Sequence, residues 1–131
     1  MKKDRLLNPA LISAIAAIGH TEYFVVADCG LPVPDGVPVV DLSLVRGVPT
    51  FAETLRAVCE ELVVESYILA SEMEGVSPAL YSETNQILQG KPSTSVTHEE
   101  FKKLTQKAKV IVRTGETTSY ANVILIAGVN F

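Results

Sequence analysis

The sequence holds two histidines, His20 and His98. An imidazole titrates near ~6.5, so it can give and take protons at neutral pH. Asp28 adds a carboxylate that accepts hydrogen bonds. Tyr120-Ala121-Asn122 adds a phenol with an apolar face and an amide that both donates and accepts. Proton transfer and hydrogen-bond recognition are the chemistries these types can perform. Asp28 directly follows an apolar run, Tyr23 to Ala27, that reads as a strand. Side chains at the carboxyl ends of strands commonly line ligand crevices in α/β proteins.

Each residue also has an ordinary alternative. His20 can be a surface histidine beside a helix C-terminus, where a positive ring is mildly stabilised. Asp28 can serve a turn by bonding nearby backbone. Tyr120 and Asn122 can be the satisfied entry to a strand. His98 falls in a helix first turn, where exposure is ordinary. Glu99-Glu100 and Lys102-Lys103 read most simply as a solvated helix face. Geometry adds a further constraint. His20 and Asp28 flank one strand, so they belong at its opposite ends. A shared site requires the His20 loop to fold back or a second subunit to supply one of them.

Several chemistries lack their motifs. Arg113-Thr114-Gly115-Glu116 carries no Lys-Ser/Thr ending for a phosphate loop, and no GxGxxG opens a helix. No HExxH or Cys/His cluster marks a metal site, so the expectation is no metal and no cofactor. Cys29 and Cys59 form no CxxC and read as free thiols.

The elements that must position these residues are legible in pattern. Asn8 can cap a helix that Pro9 opens, with Leu11, Ile12, Ile15 and Ile18 on one face. Gly19 can end it in the left-handed conformation. Leu31 to Pro38 holds three prolines and a glycine and reads as a rigid loop. Val39 to Leu42 reads as a strand. A second helix opens at Pro49-Thr50, with Phe51, Leu55, Val58 and Leu62 on one face. Val63 to Ala70 reads as a strand and Pro78 to Leu88 as a helix. Ser93 to Val96 follows as a short strand. Thr97 and Glu100 match a capping box for a helix running to about Lys107. Lys109 to Val112 and Asn122 to Ala127 complete the strands. Helices alternating with apolar strands predict an α/β fold: a single domain over residues 1–131, with a mixed or mostly parallel sheet and helices on both faces.

Length and composition agree with one domain. The chain has 131 residues, a hydrophobic fraction of 47% and a net charge of −4. A mildly acidic domain shows no nucleic-acid footprint. Tryptophan is absent and aromatics are only 6%, so the hydrophobicity is aliphatic. A domain this small and aliphatic has reason to bury surface in a homo-oligomer. The apolar stretches Ala10 to Ile18 and Val123 to Ala127 fall short of the ~20 residues of a membrane span. Met1-Lys2-Lys3-Asp4-Arg5 leads into Asn8-Pro9 rather than a signal-peptide core, and a cytoplasmic location is expected.

Taken in order, the motifs carry a resemblance. They are Gly19-His20-Thr21, Ala27-Asp28-Cys29-Gly30-Leu31-Pro32-Val33-Pro34 and Gly47-Val48-Pro49-Thr50-Phe51. Thr97-His98-Glu99-Glu100-Phe101-Lys102 and Val112-Arg113-Thr114-Gly115-Glu116 follow. Tyr120-Ala121-Asn122 and Ala127-Gly128-Val129-Asn130-Phe131 close the chain. The sequence resembles the D-ribose pyranase family, whose relatives include fucose mutarotases. The resemblance implies an isomerase that interconverts the pyranose and furanose forms of ribose. It implies His20 as the catalytic acid/base. Asp28, His98, Tyr120, Ala121 and Asn122 would bind the sugar, with Lys102 as an addition. It also implies ring-shaped homo-oligomers, a ring-based decamer among them, with sites near subunit contacts. Cys29 and Ser119 depart from the family's common Ala and Pro, which bears on sugar preference and rate. The alternatives are a mutarotase for fucose or another monosaccharide, and a sugar-binding accessory protein without turnover.

Overall fold

Asn8 and Pro9 start the first helix as their types require. The Asn8 side chain accepts from the Leu11 N–H at 2.9 Å, and Pro9 takes the first helical position, where its missing donor is not needed. The computed structural model describes residues 1–131. Its helices are α1 (Pro9–Ala17), α2 (Phe51–Cys59), α3 (Glu72–Val76), α4 (Pro78–Ile87) and α5 (His98–Leu104). Its strands are β1 (Tyr23–Ala27), β2 (Val39–Asp41), β3 (Val64–Ala70), β4 (Ser93–Val96), β5 (Ala108–Arg113) and β6 (Val123–Ala127).

The six strands form one mixed sheet in the order β2-β5-β1-β6-β3-β4. β2, β5 and β1 are mutually parallel, and β3 runs parallel to β4. β6 lies between these two groups and is antiparallel to β1 and β3. The central strands β5, β1, β6 and β3 are apolar on both sides, as strands covered on both faces are, whereas the edge strands β2 and β4 are largely exposed. Phe24, Val26, Val112, Val123 and Leu125 face one way, against Leu11 of α1 and Phe51, Leu55 and Val58 of α2. Val25, Ala27, Ile111 and Ile124 face the other way, against Phe101 of α5 and Leu31. Phe101 is fully buried, and a side chain of that size contributes about 1.5–3 kcal/mol on leaving water.

Two local expectations are corrected. Gly19 does not end α1 in the left-handed conformation. The helix stops at Ala17, Ile18 is extended, and the positive φ falls on Thr21 at 69°. The Glu22 carboxylate takes the Gly19 N–H at 2.7 Å, so a side chain closes this turn. The second correction concerns α5, where only half of the capping box forms. Thr97 Oγ1 accepts from Glu100 N at 3.2 Å, but the Glu100 carboxylate goes to Lys103 at 3.3 Å. The α-helix ends at Leu104 and a 3-10 turn, Thr105–Lys107, carries the chain to the expected end near Lys107. A complete capping box does occur at α2, between Thr50 and Glu53. α3, with Gly75 among its five residues, carries too little periodicity to be read from the sequence. No helix is long and apolar enough to cross a membrane.

Candidate active site

The sheet gathers three segments at one edge, the one formed by the C-terminal ends of β1, β4 and β5. Asp28 follows β1, His98 follows β4, and the Glu116–Tyr120 loop joins β5 to β6. β6 enters the sheet from this same edge because it is antiparallel to β1. These segments enclose a cavity of about 370 Å³. Asp28, Cys29, His98, Glu116, Ser119 and Tyr120 are among its lining, and no Lys or Arg is.

Asp28 is held from several directions. Its N–H donates to Asn122 Oδ1 at 2.9 Å, and Asn122 Nδ2 donates to Asp28 Oδ2 at 2.8 Å. Gly30 N donates to Asp28 Oδ1 at 2.9 Å, closing an Asx turn. Each carboxylate oxygen thus has one protein donor and keeps capacity for another. Thr114 secures the end of β1 below it, since its hydroxyl donates to Ala27 O at 2.7 Å.

Tyr120 adopts φ 61°, a left-handed conformation uncommon for a bulky residue. Such strain costs on the order of 1–3 kcal/mol and persists where the surroundings impose it. Two contacts flank it: Asn122 N donates to Tyr120 O at 2.8 Å, and Ser77 Oγ donates to Ser119 O at 2.8 Å. The Tyr120 ring meets His98 edge to face, with centroids 5.0 Å apart. Phe101 stacks near the same imidazole at 6.4 Å. His98 Nδ1 is buried with no hydrogen-bond partner.

Two carboxylates support this edge. Glu72 accepts from the His98 N–H with both oxygens, at 2.9 and 3.0 Å. That bond holds the Glu72 carboxyl below its usual value. Glu116 accepts from Phe51 N at 3.0 Å and from the Thr118 hydroxyl at 2.9 Å, tying the α2 N-terminus to the loop before Tyr120.

His20 is absent from the cavity's lining. It precedes β1, whose length alone is about 13 Å from Tyr23 to Ala27. There His20 Nε2 lies 3.3 Å from Glu65 Oε1, and both side chains are about half exposed. A larger, mostly apolar groove of about 460 Å³ lies at this edge, bordered by Ile18, Val63, Gly128 and Phe131. No group of three or more His, Cys, Asp or Glu is placed to hold a metal ion.

The model of the RbsD / FucU transport protein family matches residues 1–130. The chain belongs to this family. Among its RbsD/FucU relatives, the D-ribose pyranase of Clostridium perfringens is 47% identical over 131 residues, covering 100% of both chains. The structure of Bacillus subtilis RbsD complexed with D-ribose superposes with a TM-score of 0.97 at 45% identity and 100% coverage of both chains. The fucose mutarotase of Streptococcus pneumoniae in complex with L-fucose gives a TM-score of 0.82 at 26% identity, covering 95% of this chain and 94% of that one.

Within this RbsD/FucU fold, the expected site residues divide into three groups. Asp28, His98 and Tyr120 line one cavity. Ala121 and Asn122 are fully buried behind it, and the Asn122 amide serves Asp28. Lys102 stands apart, with Nζ 2.6 Å from Glu99 Oε1, and His20 lies at the far edge of the sheet. Glu72 and Glu116 are supports beyond the residues expected from the sequence. The Arg113-Thr114-Gly115-Glu116 motif was a signal for the second, but nothing local marked the first.

Proposed function

We propose that this chain is a D-ribose pyranase, interconverting the pyranose and furanose rings of ribose. The observation that carries the reading is the end-to-end likeness to RbsD solved with D-ribose and to relatives named D-ribose pyranase. The cavity is consistent with it. A pocket without Lys or Arg suits a neutral polyol rather than a sugar phosphate. Asp28 offers acceptor capacity to hydroxyls, and the Tyr120 ring offers an apolar wall.

Ring exchange needs a proton taken from the anomeric hydroxyl as its C–O bond becomes a carbonyl. The bond from that carbon to the ring oxygen breaks, and the ring oxygen takes a proton. Reclosure through a different hydroxyl reverses these transfers. Both oxygens sit on the anomeric carbon, so one imidazole can serve both. We assign this role to His20 and sugar binding to Asp28, His98, Tyr120, Ala121 and Asn122, with Lys102 at the periphery. Since His20 and Asp28 occupy opposite sheet edges, His20 would act in the cavity of a neighbouring copy. A head-to-tail interface whose rotation closes forms a ring, which fits the expected ring-based oligomer. We place the enzyme in the cytoplasm, where thiols such as Cys29 and Cys59 stay reduced.

NMR exchange spectroscopy on ribose tests the reading. The protein should accelerate pyranose–furanose exchange, and His20→Ala should remove most of the roughly 10²–10⁴-fold that acid–base help supplies. Binding of ribose without acceleration would instead assign a sugar-binding accessory role. The fucose mutarotase likeness motivates running L-fucose and other monosaccharides beside ribose. Faster turnover of fucose would move the assignment to that sugar.

A further inference from the structure

We propose that Glu65 is the positioning residue for His20, an inference resting on the assignment of His20 as the acid/base. Its carboxylate accepts from Nε2–H and leaves Nδ1 as the nitrogen that exchanges protons with the sugar.

Three backbone features converge on the 3.3 Å approach of Glu65 Oε1 to His20 Nε2. The first is a register shift in the β3–β6 pairing. Val64 pairs with Ala127 and Ser66 with Ile126, so Glu65 is the extra residue of a bulge. Bulges re-aim side chains and are frequent beside active sites. The second is Gly128, which follows β6. A Cβ there would lie 3.1 Å from Val63 Cγ1 and 3.4 Å from Glu65 Cβ, so the bulged strand lies close against this glycine. The third is Thr21, next to His20, at φ 69°. A β-branched residue in that region is an outlier that its surroundings must hold. The hold is visible, because Thr21 N donates to Ala127 O at 2.8 Å.

The other carboxylate of this turn is already engaged. Glu22 accepts from Gly19 N at 2.7 Å and pairs with Lys109 at 3.4 Å. Glu65 has His20 as its hydrogen-bond partner. Stability does not account for the arrangement, because an ion pair this exposed contributes little. Orientation does. A carboxylate on one ring nitrogen selects the tautomer and aims the other nitrogen, the division of labour seen in Asp-His pairs of hydrolases.

The test compares Glu65→Ala and Glu65→Gln with the parent and with His20→Ala in ribose exchange, on protein of verified assembly. Imidazole ¹⁵N spectra accompany the kinetics, with His98 as the internal control. Glu65→Ala should lower kcat about tenfold or more, part of the ~10²–10⁴-fold acid–base contribution, while KM stays within about twofold. The His20 nitrogen resonances should move while those of His98 stay. Glu65→Gln keeps the side-chain volume and an acceptor oxygen, so it should fall between the two. It carries the same comparison if the alanine variant does not assemble. An unchanged kcat in both Glu65 variants overturns the proposal, as does a lower kcat with the His20 resonances unmoved. If His20→Ala itself leaves exchange untouched, the underlying assignment of His20 fails instead.

Discussion

Asp28 and Asn122 are 94 positions apart in sequence and joined by two hydrogen bonds, one in each direction. Asn122 is fully buried, so its amide has no water to fall back on. Replacing it by alanine leaves the Asp28 N–H unpaired and frees the carboxylate. Asn122→Ala should lower unfolding stability by about 1–3 kcal/mol and raise KM for ribose more than it lowers kcat. Denaturant melts and exchange kinetics on the same preparation check both.

The separation of His20 from the cavity makes a site shared between copies testable by mixing. His20→Ala and Asp28→Ala should each be nearly inactive alone. Co-assembled in equal amounts, they should regain about a quarter of the activity, the chance that one interface receives both intact halves. No recovery in verified mixed oligomers would place both residues in one subunit's site.

Gly115 illustrates how tightly the loop beside the cavity is built. A Cβ there would meet Val48 O at 2.3 Å and Val48 N at 2.6 Å. Those are backbone atoms fixed by Gly115 N donating to Pro49 O at 2.9 Å. Gly115→Ala should destabilise by roughly 1–3 kcal/mol or more, as overpacking does, and disturb the neighbouring Glu116. Thermal melting and ribose affinity should both register it. A variant with parent-like melting would refute the close packing.

Glu72 predicts a pH effect with a definite sign. Its carboxyl is held below the usual 4.5 chiefly by the His98 N–H. A depressed folded value means the stabilisation is complete above pH 4.5 and is lost as pH falls through that lower value. The melting temperature of the parent should therefore fall more steeply than that of Glu72→Gln as pH drops below this point. Parallel curves for the two proteins would contradict the assignment.

The two thiols should behave differently. Burial pushes the Cys59 thiol up to about 11, whereas Cys29 is exposed in the cavity wall. Alkylation near pH 8 should give one adduct, at Cys29, because thiolate is the reactive form. Ribose should slow it. Equal labelling at both positions, read by peptide mass spectrometry, would contradict this placement.

What could be read in the sequence was what neighbouring residues decide. Asn8-Pro9 starts α1, and the apolar runs of β1, β3 and β6 declare a sheet covered on both sides. Asp28 was legible because it directly follows a strand. What escaped depends on distant partners. Glu72 meets His98 across 26 positions, Glu65 meets His20 across 45, and Glu116 meets Phe51 across 65. In sequence each looks like any solvated acid. Thr97-Glu100 misled for a related reason: Lys103 competes for the Glu100 carboxylate, and a spacing motif cannot weigh that competition.

β6 is synthesised after the other five strands yet sits in the middle of the sheet. Until it is made, β2-β5-β1 and β3-β4 are two separate ribbons, each with an open inner border. Unpaired borders of this kind invite pairing with other chains. A chain halted before Val123 would therefore lack the strand that sets β1 beside β3 and expose two adhesive edges at once. Insertion of this one late segment closes the slot and joins the half of the sheet that carries Asp28 to the half that carries His98, so the strand that removes the open borders is also the one that brings the two walls of the cavity together.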